Sequence, residues 1–382
     1  MFATGFDASM PSRSAGFPVP PHCALAAALL LAMAPFSANA ATIVVTSPDD
    51  SDPASVDTCT LRQAILSMNA GAAKGNCAAS GDAFGSDDTI TFAASAVTGG
   101  STWGTVTLAD SGDTSGTIGG TLVVSASQLS IDGGSGVTIA RGDAAANDFG
   151  ILRDTAATGA WLSLGNVTLH NGKAGYACDG YARGGGICIP AADLVLVNST
   201  LSGNSAENNG GGIFLQFGTL TLTNSTLSGN SSAYGGAVFT NGSVKLDQAT
   251  VSQNNATAYG GGLDGFGGGT INRSIVAGNT QNGGDINLID GWSGSHNLTS
   301  TANLDLGPLQ NNGGPTPTML PGIGSAAIDA VPLAACTQAT DQRGVTRPQG
   351  AGCDIGAVEV QPDRIFVDGF DGAPTQAARP AA

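Results

Sequence analysis

The sequence predicts an all-β fold built as a parallel solenoid. Three observations predict it: a short repeat, strands that alternate with period two, and single residue types that recur once per repeat. Between Gly184 and Asn279 the chain runs through four versions of one unit, beginning GGGICIPAADLVLVNSTLSGNS and GGGIFLQFGTLTLTNSTLSGNS. The asparagines that close them, Asn204, Asn230, Asn254 and Asn279, are spaced 26, 24 and 25 residues apart. A unit of this size cannot bury an apolar face alone, so stacking of units has to supply the core.

Within each unit the alternation is explicit. In Thr219-Leu220-Thr221-Leu222-Thr223 the leucines fall on one face and the threonines on the other. The run Val244-Lys245-Leu246-Asp247 repeats the pattern, and Leu194-Val195-Leu196-Val197 is its apolar counterpart. Helical repeats need apolar residues at i, i+3, i+4 and i+7, and the Gly, Asn and Thr content opposes that. Stacking places Leu201, Leu227, Val251 and Val276 in one core column. The closing asparagines form a second column, where amide side chains can hydrogen-bond up and down the stack as a ladder. Asn198, Asn224 and Gln248 form a third, interrupted by Arg273, and the Gly runs at 184–186, 210–212, 235–236 and 260–262 supply tight corners. The Asn-Ser-Thr triplets at 198 and 224 also match a glycosylation sequon, and the ladder is the preferred explanation of them. The expected architecture is a right-handed, single-stranded parallel β-helix closed at its N-terminal end by an α-helix.

That helix is expected over Thr60–Ala70. Thr60 and Gln63 have the spacing of a capping box, and Leu61, Ile65 and Met68 make one apolar stripe. Before it come a strand, ATIVV at 41–45, and an acidic loop with Asp49, Asp50 and Asp52. These three could ligate Ca²⁺, but a solvated loop is the preferred reading. After it, strands are expected at 105–108, 121–124, 129–131, 137–140 and 162–164, with a loop over 172–183 that carries Cys178.

The chain has 382 residues, 58 of them Gly, 41% hydrophobic and 11% charged, with a formal net charge of −16. That balance opposes nucleic acid and anionic membranes as partners. No motif requires a cofactor, and Ca²⁺ is the one the charge accommodates. Residues 1–40 read as a signal peptide: an apolar run from Cys23 to Met33, then Ala38-Asn39-Ala40 before the cut. Met10 is a candidate start. No later apolar stretch has spanning length, so an exported, monomeric product without a transmembrane segment is expected. Of seven cysteines, Cys23 leaves with the leader, and the rest form local couples: Cys59 with Cys77, Cys178 with Cys188, Cys336 with Cys353. Disulfides imply an oxidising compartment. A zinc site is the rival, disfavoured because no CxxC or nearby His completes it.

Two stretches carry a resemblance. Cys59-Thr60-Leu61-Arg62-Gln63-Ala64-Ile65, then Cys77 and Asp87-Asp88-Thr89-Ile90-Thr91-Phe92, resemble the CSLREA-type N-terminal domain of bacterial exported β-helix proteins. Thr60 and Gln63 stand where that name has Ser and Glu. The words LGPLQNNGGPTPTML at 306–320, SAAIDA at 325–330, DQRGVTRP at 341–348 and CDIGAVE at 353–359 resemble the choice-of-anchor Q region of the same proteins. The resemblance implies that the first segment caps the helix and the second ends it. RIFVDGFD at 364–371 resembles a short C-terminal signature of exported Gram-negative proteins, with Asp371 in place of Glu. The implied organisation is a signal peptide at 1–40, a helical cap at 41–92, coils at 93–305, a C-terminal region at 306–360 and a tail at 361–382. The implied location is extracellular or on the outer-membrane surface of a Gram-negative bacterium.

Chemistry is sparse. Pectate lyases and polygalacturonases share this scaffold and need convergent carboxylates with an Arg, a Lys or Ca²⁺. On the outward columns only Lys245 and Asp247 are ionisable, and a surface ion pair between them serves as well. Lys245, Asp247, Asp264 and Arg273 are the candidates if the chain is a lyase or hydrolase, with Asp285 and Asp290 as turn acids. His170 and His296 are expected to lack a Ser or Cys partner. Trp292, in IDGWSGSHN, is the candidate sugar-stacking residue, while Trp103 and Trp161 are isolated. Gly-rich words precede no helix and exclude a phosphate loop. Gly235-Gly236-Ala237-Val238 is similar to the repeats of polymorphic outer-membrane adhesins, and the tail is too short for an autotransporter barrel. The favoured role is structural, adhesive or glycan-binding, without a catalytic site.

Overall fold

A computed structural model describes residues 40–50, 58–81, 83–94, 104–110, 120–176, 178–280 and 284–361. Residues 1–39 of the leader, Asp52, Trp103 and the RIFVDGFD segment lie outside them.

The alternating runs become strands that pair with their equivalents in the neighbouring repeats, always in parallel. Each central repeat contributes three. The first face is a seven-stranded sheet running Leu122–Val124, Leu152–Asp154, Ile187–Ile189, Ile213–Leu215, Val238–Thr240, Leu263–Gly265 and Ile286–Leu288. The second carries Asp193–Val197, Thr219–Thr223, Ser243–Asp247 and Gly269–Asn272. The third carries Thr200–Ser202, Thr226–Ser228, Thr250–Ser252 and Ile275–Val276. The second and third faces extend towards the N-terminus through two long strands, Gln128–Arg141 and Trp161–His170, each of which serves both. The register sets Leu220 between Leu194 and Val244, and Leu227 between Leu201 and Val251. All of these are buried in one continuous core. This mostly-β arrangement with long parallel sheets is compatible with an all-β parallel solenoid.

Polar columns satisfy the corners. Asn204, Asn230, Asn254 and Asn279 are linked by Nδ2-to-Oδ1 hydrogen bonds of 2.9, 2.9 and 2.8 Å. Each Oδ1 from Asn230 onward also accepts the backbone N–H of the preceding asparagine. The row ends on Asp285, whose Oδ1 takes both the N–H and the amide of Asn279. The third column behaves differently from expectation. Asn198, Asn224, Gln248 and Arg273 all have positive φ, between 45° and 51°, and so form a left-handed corner with no amide ladder. There the row of hydrogen bonds belongs to the next residue, Ser199 N–H to Ser225 Oγ and Ala249 N–H to Ser274 Oγ. The glycine corner is sterically required: a Cβ on Gly210, φ 65°, would lie 2.1 Å from the Ile213 carbonyl oxygen.

The helix Leu61–Ala70 forms with the Thr60 and Gln63 capping box and a left-handed Gly71 at its end. It closes the exposed edge of Leu122–Val124. Asn69 donates to the Val123 carbonyl at 2.7 Å and accepts from Ser125 N–H at 2.7 Å, while Arg62 donates to the carbonyls of Gly120 and Thr121. Arg62 also holds both oxygens of Asp50, at 2.8 and 2.7 Å. Asp50 is therefore buried in an ion pair and is not part of a solvated loop.

The cysteines pair as Cys59–Cys77, Cys178–Cys188 and Cys336–Cys353. The first sits beside the helix, the second staples the 172–183 loop to the first face, and the third lies in the C-terminal region.

That region packs Ala327, Val331 and Ile355, with Leu304, against Ile275 and Ala277 of the fourth repeat. It runs back along the corner between the second and third faces. Thr316 Oγ1 donates to the Asn198 carbonyl, Thr200 Oγ1 to the Pro317 carbonyl, and Asn224 Nδ2 to the Thr340 carbonyl. Gln342 bonds Thr200 and Thr226 at 2.8 and 2.6 Å, and Thr250 Oγ1 accepts the Ala357 N–H. The strap is stiffened by a buried charge network. Asp341 accepts from Arg343, Val345 N–H and Glu359 N–H, and Arg347 pairs with Glu359 at 2.9 Å. Asp354 accepts the N–H groups of Asp329 and Val360.

Candidate ligand groove

The residues singled out from sequence do not converge. Asp247 pairs with Arg273, not with Lys245. The Arg273 Nη2 and Nε lie 2.5 and 2.9 Å from Asp247 Oδ1, and Thr337 and Gln338 of the strap donate to Oδ2. The carboxylate is thus fully engaged in docking the strap. Lys245 stands exposed on the second face, in register with Thr221 and Thr270. Asp264 is on the first face. Trp292 is exposed on the last strand of the second face, opposite Gly269.

The described part of the acidic loop places no three ligating side chains together, and Asp52 lies outside the described residues. Asp49 accepts from Ser47 Oγ, Asp50 belongs to Arg62, and no cluster of three ligating side chains occurs among the described residues. His170 and His296 each meet a serine, contrary to expectation. His170 Nδ1 lies 3.1 Å from Ser202 Oγ, which the stack places one repeat on, and His296 Nδ1 lies 3.0 Å from Ser295 Oγ. The Ser202 hydroxyl shares its ring nitrogen with the Ser202 carbonyl at 3.0 Å, and neither imidazole hydrogen-bonds a carboxylate among the described residues. The arrangement is a column contact, without the third member that would orient a base.

A concave feature of the surface lies elsewhere. On the first face the middle residue of each strand points outward, giving the column Cys188, Phe214, Phe239, Asp264, Asn287. Phe214 and Phe239 stack with centroids 5.9 Å apart. Beside this column run two short paired strands, Ser231–Tyr234 and Asn255–Tyr259, whose Tyr234 and Tyr259 stack at 6.2 Å. Together with Phe266 and Ile289 they enclose a groove of about 430 Å³ with a predominantly apolar lining. That volume falls in the range of small-ligand sites.

Asp264 sits in this groove, only 4% exposed. Its Oδ1 accepts the Asn287 amide at 2.6 Å. Burial raises its pKa above the ordinary carboxylate value, opposed by the hydrogen bonds from Asn287 and from the Gly265 N–H. It forms no ion pair among the described residues, and it is the one carboxylate among those lining the groove. Of the sequence candidates only Asp264 belongs here. The aromatic partners were missed, although Tyr-Gly-Gly recurs at 234–236 and 259–261, one repeat apart. No protein-family model matches this chain, and comparisons with curated proteins and with solved structures likewise found no match.

Proposed function

We propose that the chain is an exported, right-handed, single-stranded parallel β-helix that binds glycans at the surface of a Gram-negative bacterium or outside it. The CSLREA-like and choice-of-anchor Q-like words support this assignment, as does the general right-handedness of parallel crossovers. Three disulfides fit an oxidising compartment. No helix among the described residues is long and apolar enough to cross a membrane.

The observation that carries the reading is the groove. Stacked Tyr234 and Tyr259 offer flat apolar rings with polar edges, the surface on which the C–H face of a sugar packs, and Asn287 and Asp264 supply hydrogen-bonding groups at the floor. A structural or adhesive role would follow from the same contact. Catalysis as a polysaccharide lyase or glycoside hydrolase has less support. Hydrolysis generally requires a second carboxylate within roughly 5–10 Å, and Asp264 has none beside it in the groove lining.

Titration calorimetry against a panel of oligosaccharides tests the proposal. Binding should weaken at least tenfold in Tyr259→Ala, a side chain that is 51% exposed and free to be removed without disturbing the core. Unchanged affinity in that variant would place the glycan elsewhere, and turnover of any oligosaccharide would return the enzyme reading.

A further inference from the structure

We propose that the groove selects glycans whose sugars carry a free primary ammonium group. The inference rests on the glycan-binding reading and narrows it. Three features of the site point to a cationic ligand. First, Asp264 is a nearly buried carboxylate held by the Asn287 amide and the Gly265 N–H, with no basic side chain paired to it among the described residues. A buried anion without a counter-charge is costly, and a ligand cation supplies what the protein omits. Second, the carboxylate shares its groove with four aromatic rings. Phe239 is its neighbour in register, Tyr234 and Tyr259 form the adjacent wall, and Phe266 stands 62% exposed at the mouth. Aromatic faces carry negative potential and attract cations as well as sugar C–H groups. Third, the chain as a whole carries a formal net charge of −16, which would draw a polycationic glycan and repel an acidic one.

The primary amine is preferred to a quaternary ammonium on hydrogen-bond grounds. A quaternary group brings charge but no N–H, so it could add no hydrogen bond to those Asp264 accepts from Asn287 and Gly265. A primary ammonium brings three donors and can meet the carboxylate directly while its sugar ring lies over Tyr234 and Tyr259. The groove volume of about 430 Å³ leaves room for the ring as well as for its amine.

The test is calorimetry on the full chain with glucosamine tetrasaccharide, its N-acetylated counterpart and tetramethylammonium chloride. The free-amine sugar should bind at least tenfold more tightly than the acetylated one. Asp264→Asn keeps the Asn287 contact and the side-chain volume, and should abolish that preference. Phe266→Ala, at an exposed position, should weaken the amine ligand in a chain whose thermal unfolding is unchanged. Equal or better binding of the acetylated sugar would overturn the inference and leave the glycan reading standing. Tetramethylammonium binding as tightly as the amine sugar, or an amine preference that survives Asp264→Asn, would also overturn it. No binding of either sugar would remove both.

Discussion

One side chain, Asn230, makes hydrogen bonds to four residues in the interior, the Ser228 carbonyl among them. Its Oδ1 accepts from the Asn204 amide and backbone N–H, and its Nδ2 donates to the Leu201 carbonyl and to Asn254. Alanine would strand several buried polar groups at once, each costing about 1–3 kcal/mol. Asn230→Ala should therefore lose about 3 kcal/mol or more of stability, read from urea denaturation, while an exposed change such as Lys245→Ala stays near zero. The asparagine row was legible because its spacing is the repeat itself. The Asp247–Arg273 pair was not. Its partners are 26 residues apart and occupy different positions in their repeats, so no column brings them together on paper. Asp50 was misread for a similar reason: its partner Arg62 lies across a loop, on the helix.

Among the elements, the helix matters for the edge it covers. A parallel sheet ends in a row of free N–H and C=O groups that invite another chain. Asn69 and Arg62 engage those groups along Leu122–Val124, and the capping box keeps their helix in place. Asn69→Ala removes the bond to Val123 and the acceptor for Ser125 and Ala126. It should cost about 2 kcal/mol and increase concentration-dependent association, measured by denaturation and by sedimentation. The helix and its caps were readable from local signals. The strap was not, since its docking depends on backbone carbonyls and threonine hydroxyls more than a hundred residues away, which leave no periodic trace. It also covers one column of threonines on the third face. Thr200, Thr226 and Thr250 are buried under it.

For the whole molecule the buried carboxyls set a pH dependence. Burial raises Asp154 to about 6 against the Ala156 N–H, and Asp354 to about 7 against the N–H groups of Val360 and Asp329. In the unfolded chain each titrates near 3.8. The folded protein therefore holds protons that the unfolded chain has released, and stability falls as pH rises from about 4 to about 7. Denaturation midpoints should be higher at pH 5 than at pH 8. Asp154→Asn should flatten the difference, because one oxygen of that carboxyl is buried without a partner. At this scale the repeating strands were legible from period and alternation. The groove was not, because it forms only when the outward column of one face meets the tyrosine pair of a separate two-stranded sheet.

The asparagine row has a direction. Each Nδ2 gives one hydrogen to the side-chain oxygen of the later repeat and the other to a carbonyl of the earlier one, so the side-chain relay runs one way and its donor end arrives at Asp285. A carboxylate there complements that end as an acid complements the start of a helix. It also accepts twice and has no proton to hand on. An asparagine at that position would carry an amide donor onward; the aspartate carries none, so the row of side-chain amides closes there, one turn before the parallel strands themselves run out.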